Sequence, residues 1–285
     1  MTTAPDEELD VLHLGRPNVI CCHRIGDVLV DPGPQSCEDA LLAALGDRVP
    51  QAILLTHIHL DHAGATGALV RRWPHLTVAV HERGARHVVD PSKLVASATR
   101  LYGADMERLW GEIVPVPEDR LIVLRGGERL DGWGEGSWRV AYTPGHAQHH
   151  VSYLHEASGT VYAGDVAGVR IGDGPIMPPT PPPDIELDLW RTSLDTIAAW
   201  EPRRLAITHF GTYDDPVSHL AELREALDRL GSWSRDHDAA TFEAEVRAWI
   251  TDRVGAERAA AYFQGMPPDA LYPGLARYWA TRTAA

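Results

Sequence analysis

Nine consecutive residues constrain this chain more than any others: Thr56-His57-Ile58-His59-Leu60-Asp61-His62-Ala63-Gly64. They follow an apolar run, Ala52-Ile53-Leu54-Leu55, and have the form H-x-H-x-D-H. Imidazoles and a carboxylate packed this closely repel when protonated and leave polar atoms unpaired when buried. A bound cation removes both costs. Side chains alternate along a strand, so a chain leaving β structure extended at His57 points His57 and His59 to one side. A helix beginning near Asp61 turns Asp61 and His62 in another direction, toward a second cation beside the first. The fold therefore has to place a strand end and a helix start around a metal pocket.

A length of 285 residues allows one large domain or a domain with an appendage, and a hydrophobic share of 44% is enough for a sizeable core. Forty acids against 26 bases give a formal charge of −14. That balance argues against a nucleic-acid-binding surface, which has to be basic. It leaves room for a small substrate, even an anionic one, held by metals. The three cysteines, Cys21, Cys22 and Cys37, show no framework spacing, so they read as buried thiols in a reducing compartment. Neighbours on a strand face opposite ways, so Cys21 and Cys22 are not expected to pair. Residues 1–8 are acidic and lack the apolar stretch of a signal peptide, and no run approaches the roughly 20 apolar residues of a membrane span. The expectation is a cytoplasmic protein with no membrane partner.

Taken in order, residues 9–31 read as three strands, at 11–14, 18–23 and 27–30, separated by Gly15-Arg16-Pro17 and by a hairpin turn at Gly26. A helix follows at 37–46, with Leu41, Leu42 and Leu45 on one face. Residues 52–55 form a buried strand, the histidine loop comes next, and a helix over 64–73 stops at Pro74. After a strand at 76–80, residues 83–120 show helical patterning only. They read as an insertion at a strand end, where lids and substrate walls commonly form. Arg100, Tyr102 and Trp110 are its candidates for substrate contact. Strands return at 121–124, 128–130, 138–142, 151–155 and 160–163. Two batches of strands, each followed by helices, indicate sheet packed on sheet with helices outside. A proline-rich segment at 172–183 is a stiff rim or crossing piece. Leu187, Trp190, Leu194 and Ile197 mark an amphipathic helix, and a last strand at 205–208 runs into His209. Residues 214–285 carry further helical stripes, which pack on the core or form a homodimer contact.

Three more ligand candidates lie just past strands: His146 in Thr143-Pro144-Gly145-His146, Asp165 in Gly164-Asp165, and His209. If their strands run into one edge, they meet the histidine loop there. A glycine before His146 and before Asp165 permits backbone conformations that turn the side chain inward. With Asp31, which ends the apolar run of the third strand, these signatures resemble the metallo-β-lactamase superfamily over residues 9–213. The resemblance implies an α/β fold, an αββα sandwich with metals at one edge. It bears a helical insertion at 83–120 and a C-terminal helical appendage at 214–285. It further implies that His57, His59 and His146 hold one divalent ion, that Asp61, His62 and His209 hold a second, that Asp165 bridges them, and that Asp31 supports the loop. Zinc is the expected ion, with iron or manganese as alternatives. His150 follows the third ligand closely and reads as a residue behind the ligands, and His149 as a weaker one. His13, His23, His75, His81, His87, His155, His219 and His237 lack such a context and read as satisfied or surface histidines.

Two ions about 3.5–4 Å apart share a water and lower its pKa toward neutrality. The expected reaction is hydrolysis of an ester, thioester or lactone bond by a metal-bridging hydroxide, with Asp61 as ligand and proton acceptor. No G-x-S-x-G elbow and no P-loop offers a rival chemistry. The chain most resembles the glyoxalase II and lactonase-like branch. It departs from known acyl-homoserine lactonases, which carry a tyrosine where Gly168 stands, and from glyoxalase II, because residues 214–285 contain no lysine. The resemblance also admits a mononuclear iron sulfur dioxygenase using His57, His146 and Asp165, or a phosphodiesterase or β-lactam hydrolase. His59 excludes the flavodiiron branch. Arg170 and Tyr213 stand near ligands in sequence and are the remaining candidates for substrate contact.

Overall fold

Alternation along short strands divides the apolar residues of this chain between layers. A computed structural model describes residues 6–134 and 136–283. Residues 1–5, on which most of the reading of the N-terminus rests, lie outside the described residues, as do residue 135 and the last two positions. The first sheet contains β1 (Asp6–Asp10), β2 (Cys21–Ile25), β3 (Val28–Val30), β4 (Ala52–Leu54), β5 (Thr77–His81) and β6 (Leu121–Leu124), in sequence order. The second contains β7 (Arg129–Trp133), β8 (Gly136–Tyr142), β9 (Val151–His155), β10 (Thr160–Tyr162), β11 (Arg204–Ile207) and β12 (Gly211–Tyr213), again with sequence neighbours paired.

Val28, Val30, Ala52, Leu54 and Ala79 of the first sheet meet Trp138, Val140, Tyr153, Tyr162 and Ala206 of the second in one buried layer. Their strand neighbours Leu29, Ile53, Val78, Leu154, Val161 and Leu205 point the other way, into a core shared with the helices. Period-two alternation thus yields both the layer between the sheets and the outer layers. The arrangement is the αββα sandwich. Its helices are α1 (Glu38–Leu45), α2 (Leu60–Ala63), α3 (Thr66–Arg72), α4 (Glu82–Val89), α5 (Ser92–Tyr102), α6 (Met106–Trp110), α7 (Leu187–Ala198), α8 (Pro216–Asp236), α9 (Ala239–Gly265) and α10 (Pro268–Thr283).

β3, β4, β5 and β6 are parallel, so the chain leaves β3 and β4 at the same edge. β10 and β11 are also parallel and deliver their following loops together. The two edges are stitched to each other: Val151 N–H donates to the Thr56 carbonyl at 2.8 Å, and Cys21 N–H to the Thr208 carbonyl at 2.8 Å. This seam brings the histidine loop to the loops after β10 and β11.

The structure corrects two details of the sequence reading. Residues 11–14 are not a strand: Leu12 and Leu14 adopt left-handed backbone (φ 51° and 53°) around a 3-10 turn, His13–Gly15. The strand lies earlier, in the acidic stretch Asp6–Asp10, where only Leu9 is buried and no apolar alternation marks it. The edge strand β12 is likewise too short and polar to announce itself. The insertion is helical as expected, in three pieces, α4 to α6. The C-terminal stripes pack inward: Leu220, Leu223, Leu227 and Leu230 of α8, Phe242, Val246 and Ile250 of α9, and Leu275 of α10 all belong to the core around the sheets. No helix among the described residues is long and apolar enough to cross a membrane.

Two measurements test this packing. Trp138 is fully buried between the sheets. Trp138→Ala is expected to cost about 3–5 kcal/mol in denaturant unfolding. Cys21, Cys22 and Cys37 are free and buried, and burial pushes all three thiols up. A thiol reagent at pH 8 is expected to leave all three unmodified in the native protein and to modify all three after denaturation.

Candidate metal centre

The histidine loop leaves β4 through Thr56, and α2 starts at Leu60 behind His59, whose backbone is extended (φ −61°, ψ 151°). His57 and His59 therefore emerge before the helix, while Asp61 and His62 lie on its single turn. His146 lies in the loop between β8 and β9. Asp165 stands in a 3-10 turn just after β10, and His209 follows β11. The glycines in front of two of these residues are needed. Gly145 has φ 139°, and a Cβ there would lie 2.4 Å from Trp190; Gly164 has φ 46°, and a Cβ would lie 2.4 Å from Thr56 Oγ1.

All seven sequence candidates meet, in two groups. One is His57, His59, His146 and Asp165; the other is Asp61, His62 and His209. Within each group the ligating atoms lie within 4.8 Å of one another. His59 Nδ1 stands 3.0 Å from both His57 Nε2 and His146 Nε2. Asp165 connects the groups: Oδ2 is 3.3 Å from His146 Nε2, while Oδ1 is 3.2 Å from His62 Nε2 and 3.6 Å from His209 Nε2. Asp61 Oδ2 lies 3.3 Å from His209 Nε2 and 3.8 Å from His62 Nε2.

The second nitrogen of four rings is anchored, which selects the inward atom. His146 Nδ1–H donates to the Pro179 carbonyl at 2.9 Å and His209 Nδ1–H to the Val19 carbonyl at 2.7 Å. His62 Nδ1–H donates to Asp31 Oδ2 at 2.8 Å. Thr56 Oγ1 gives its own proton to Asp31 Oδ2 at 2.6 Å, so it accepts from His57 Nδ1–H at 3.1 Å. Each ring thus turns Nε2 to the site, the pattern by which outer hydrogen bonds orient metal-binding imidazoles. Asp31 is wholly buried and accepts further bonds from Thr56 N–H and Thr208 Oγ1, both at 2.8 Å. His150 is also behind the ligands: its Nε2 accepts from Val166 N–H at 3.4 Å, its Nδ1 faces Thr143 Oγ1 at 3.0 Å, and its ring stacks on His57.

The residues fit a bound cation. His62 Nε2, His209 Nε2 and Asp165 Oδ1 are buried and make no hydrogen bond of good geometry, although such atoms are nearly always satisfied. Imidazole nitrogens and carboxylate oxygens without thiolate suit zinc, iron or manganese. The electrostatics agree. Burial, reinforced by the neighbouring His62 and His59, drives His57 well below the ordinary imidazole value. Burial, only partly offset by Asp165, pushes His146 down to about 4. Burial opposes charge on His62 too, but Asp165, Asp61 and Asp31 outweigh it and raise that ring well above its ordinary value. The site's acids thus favour a positive charge where His62, His209 and Asp165 converge. Asp61 is held well below the carboxylate range because His62 and His209 outweigh the effect of burial.

The ligands open into a cavity of about 790 Å³. Its walls come from the insertion (Leu94, Leu101, Trp110), the proline segment (Pro179 and Pro181 to Pro183), Met266 between the last two helices and Leu271 of α10. Tyr102 and Trp110 line it as anticipated, whereas Arg100, Arg170 and Tyr213 do not. Arg170 instead pairs with Asp215 at 2.8 Å and lies over the Tyr213 ring, and the Tyr213 hydroxyl donates to the Arg170 carbonyl. Both are used in holding the loop around His209. His13, discounted from sequence, lines the cavity: it stacks on Trp110, and its Nε2 contacts the Leu109 carbonyl at 3.2 Å. Gln264 of α9 donates to the His13 carbonyl at 2.6 Å. These contacts join residues about 100 and 250 positions apart, so no local pattern marked them.

Comparison with known proteins bears on this geometry. The Lactamase_B family, described as the Metallo-beta-lactamase superfamily, matches residues 19–209, more than half of the chain. The Metallo-beta-lactamase fold-containing protein ST1585 of Sulfurisphaera tokodaii is 29% identical over 177 residues, covering 60% of this chain and 65% of that protein. The crystal structure of ST1585 from Sulfolobus tokodaii aligns with a TM-score of 0.73 at 23% identity, over 96% of this chain and 99% of that one. A Hydroxyacylglutathione hydrolase of Legionella pneumophila is 26% identical over 151 residues, 52% of this chain and 46% of that protein. The structure of TTHA1623 in a di-iron-bound form aligns with a TM-score of 0.52 at 26% identity, over 68% of this chain and 90% of that one. The two sequence matches span less than two thirds of those relatives' own lengths.

Protein purified without chelators is expected to carry metal, and His57→Ala or Asp165→Ala to lose most of it by elemental analysis. Asp31→Ala, which leaves every ligand in place, is expected to weaken metal retention about 10–100-fold in competition with a chelator.

Proposed function

The chain belongs to the metallo-β-lactamase superfamily, and on that footing we propose that it is a hydrolase using two divalent metal ions to cleave an ester, thioester or lactone bond of a small molecule. The observation that carries this reading is the position of Asp165. Its two oxygens reach into both groups of ligating atoms, at 3.3 Å from His146 and 3.2 Å from His62. A structural zinc site closes its coordination with cysteine and histidine. Here a carboxylate that reaches both groups and a cavity beside it leave room for water and substrate.

A divalent cation held by these residues would supply Lewis acidity toward a water and toward the carbonyl to be cleaved. The chain does the rest. His57, His59 and His146 form one half of the cradle; Asp61, His62 and His209 form the other. Asp61 is held ionised and its side chain is 19% exposed, the most open of the acidic ligands. It is placed to accept the proton of the attacking water. Asp31, Pro179 and Val19 fix the rings, so no reorganisation is needed during the reaction. The apolar walls hold the substrate body and keep bulk water from the reacting bond. Zinc is the preferred ion, and the di-iron form of TTHA1623 supports iron as the alternative.

A mononuclear iron sulfur dioxygenase would need only His57, His146 and Asp165. The full second group, Asp61, His62 and His209, favours the two-ion reading. The match to hydroxyacylglutathione hydrolases supports thioester and ester bonds over phosphodiesters and β-lactams.

Elemental analysis is expected to find two metal ions per chain. A panel of lactones, thioesters and phosphodiesters is expected to show turnover with the first two classes, lost on chelation and restored by zinc. Asp61→Asn is expected to lower kcat by about 10²–10⁴-fold. Oxygen uptake without hydrolysis would establish the dioxygenase instead, and a metal content near zero would sink both readings.

A further inference from the structure

One part of the cavity wall carries an unusual charge for this protein. Arg83 and Arg86 of α4 and Lys93 of α5, the sole lysine of the chain, all line it. Among the described residues none of the three forms an ion pair, whereas Arg125, Arg170 and Arg258 are matched with Glu82, Asp215 and Asp173. Arg83 donates to Gln148 Oε1 at 2.8 Å, and Arg86 Nε approaches His87 Nε2 at 3.1 Å. Neither contact neutralises a charge. Of the lining carboxylates, Glu82 is held by Arg125 at 2.7 Å and Asp61 and Asp165 belong to the metal centre; Asp184 accepts only from Gln148 N–H at 3.4 Å, so one unpaired carboxylate stands in the lining against the three cations. The imidazole of His87, on α4, is pushed down by burial and then by Arg86 and Lys93, with Asp90 opposing, so these two cations bear on one place.

We propose that Arg83, Arg86 and Lys93 form an anion subsite, which selects esters or thioesters carrying a carboxylate or phosphate at the end remote from the scissile bond. The inference rests on the hydrolase reading for the bond, and on the cavity alone for the subsite. At a formal charge of −14 the surface as a whole repels anions, so unpaired cations at a cavity wall create a local attraction that steers an anionic substrate inward. Leu94, Leu101, Trp110 and Leu271 lie along the same cavity and match an apolar body between the two polar ends. A cavity of about 790 Å³ accommodates such a molecule.

The test is calorimetric binding to the metal-loaded protein of three non-hydrolysable ethers: hexyl phenyl ether, phenoxyhexanoate and phenoxyhexylphosphonate. The two anions are expected to bind about tenfold more tightly than the neutral ether, with the advantage shrinking from about 20 to about 500 mM salt. In the triple variant Arg83→Gln, Arg86→Gln, Lys93→Gln the anionic and neutral ethers are expected to bind equally. The variant Arg83→Lys, Arg86→Lys, Lys93→Arg is expected to restore most of the difference. The larger of the two anionic advantages identifies carboxylate or phosphate as the natural end group. Equal binding of all three ethers to the unaltered protein overturns the proposal. So does an anionic advantage that survives in the glutamine variant, because the anion is then held by the metals. The corresponding thioesters separate the two readings: if the loaded protein hydrolyses none of them, the reaction falls while the binding series still decides the subsite.

Discussion

One carboxylate holds this molecule's two halves in register. Asp31 follows β3 of the first sheet, has left-handed backbone (φ 49°), and is wholly buried. It accepts from Thr56 twice, from His62 and from Thr208 of the second sheet, all within 2.8 Å. A buried charge survives only when its lone pairs are satisfied, and four short donors achieve that. The same four bonds set the exit of β4, the orientation of the α2 histidine and the end of β11. The joint between the sheets and the orientation of His62 are therefore coupled through a single set of hydrogen bonds. Loss of this carboxylate would disturb the metal centre without removing any ligand.

The substrate side is assembled differently. It uses long-range contacts among pieces that do not neighbour one another in sequence. His13 stacks on Trp110 of the insertion, and Gln264 of α9 reaches the His13 backbone. The proline segment contributes twice: Pro179 offers its carbonyl to His146, while Thr180 donates to the Leu271 carbonyl of α10 at 3.0 Å. The C-terminal helices are thus part of the cavity as well as of the core, and the segment between them and the ligands is tied at both ends.

The metal centre was legible in the sequence because each ligand lies at a strand end or in a tight loop, where spacing alone limits the geometry. His57 to His62, the glycines before His146 and Asp165, and the placement of His209 after an apolar run were enough to single out seven residues, and the resemblance to the metallo-β-lactamase superfamily implied that they share one site, as the two clusters in the structure do. The two-layer sandwich was legible for a related reason, since alternation in short strands sorts residues by face. What remained hidden was set by distance. His13 reaches the cavity through partners about 100 and 250 residues away. Arg170 and Tyr213 stand beside a ligand in sequence but turn to Asp215 and to each other. The first strand was missed because an acidic edge strand with one buried residue has no apolar signature.

Helix α5 has no buried side chain, although it forms a cavity wall and presents Leu94 and Leu101 to it. A helix that contributes to the pocket while contributing little to the core separates two kinds of selection. Substitutions there change what the cavity admits at small expense in folding stability. Substitutions around Asp31 do the reverse. The architecture thus lets one wall of the cavity vary while the loops that carry the ligands stay as they are.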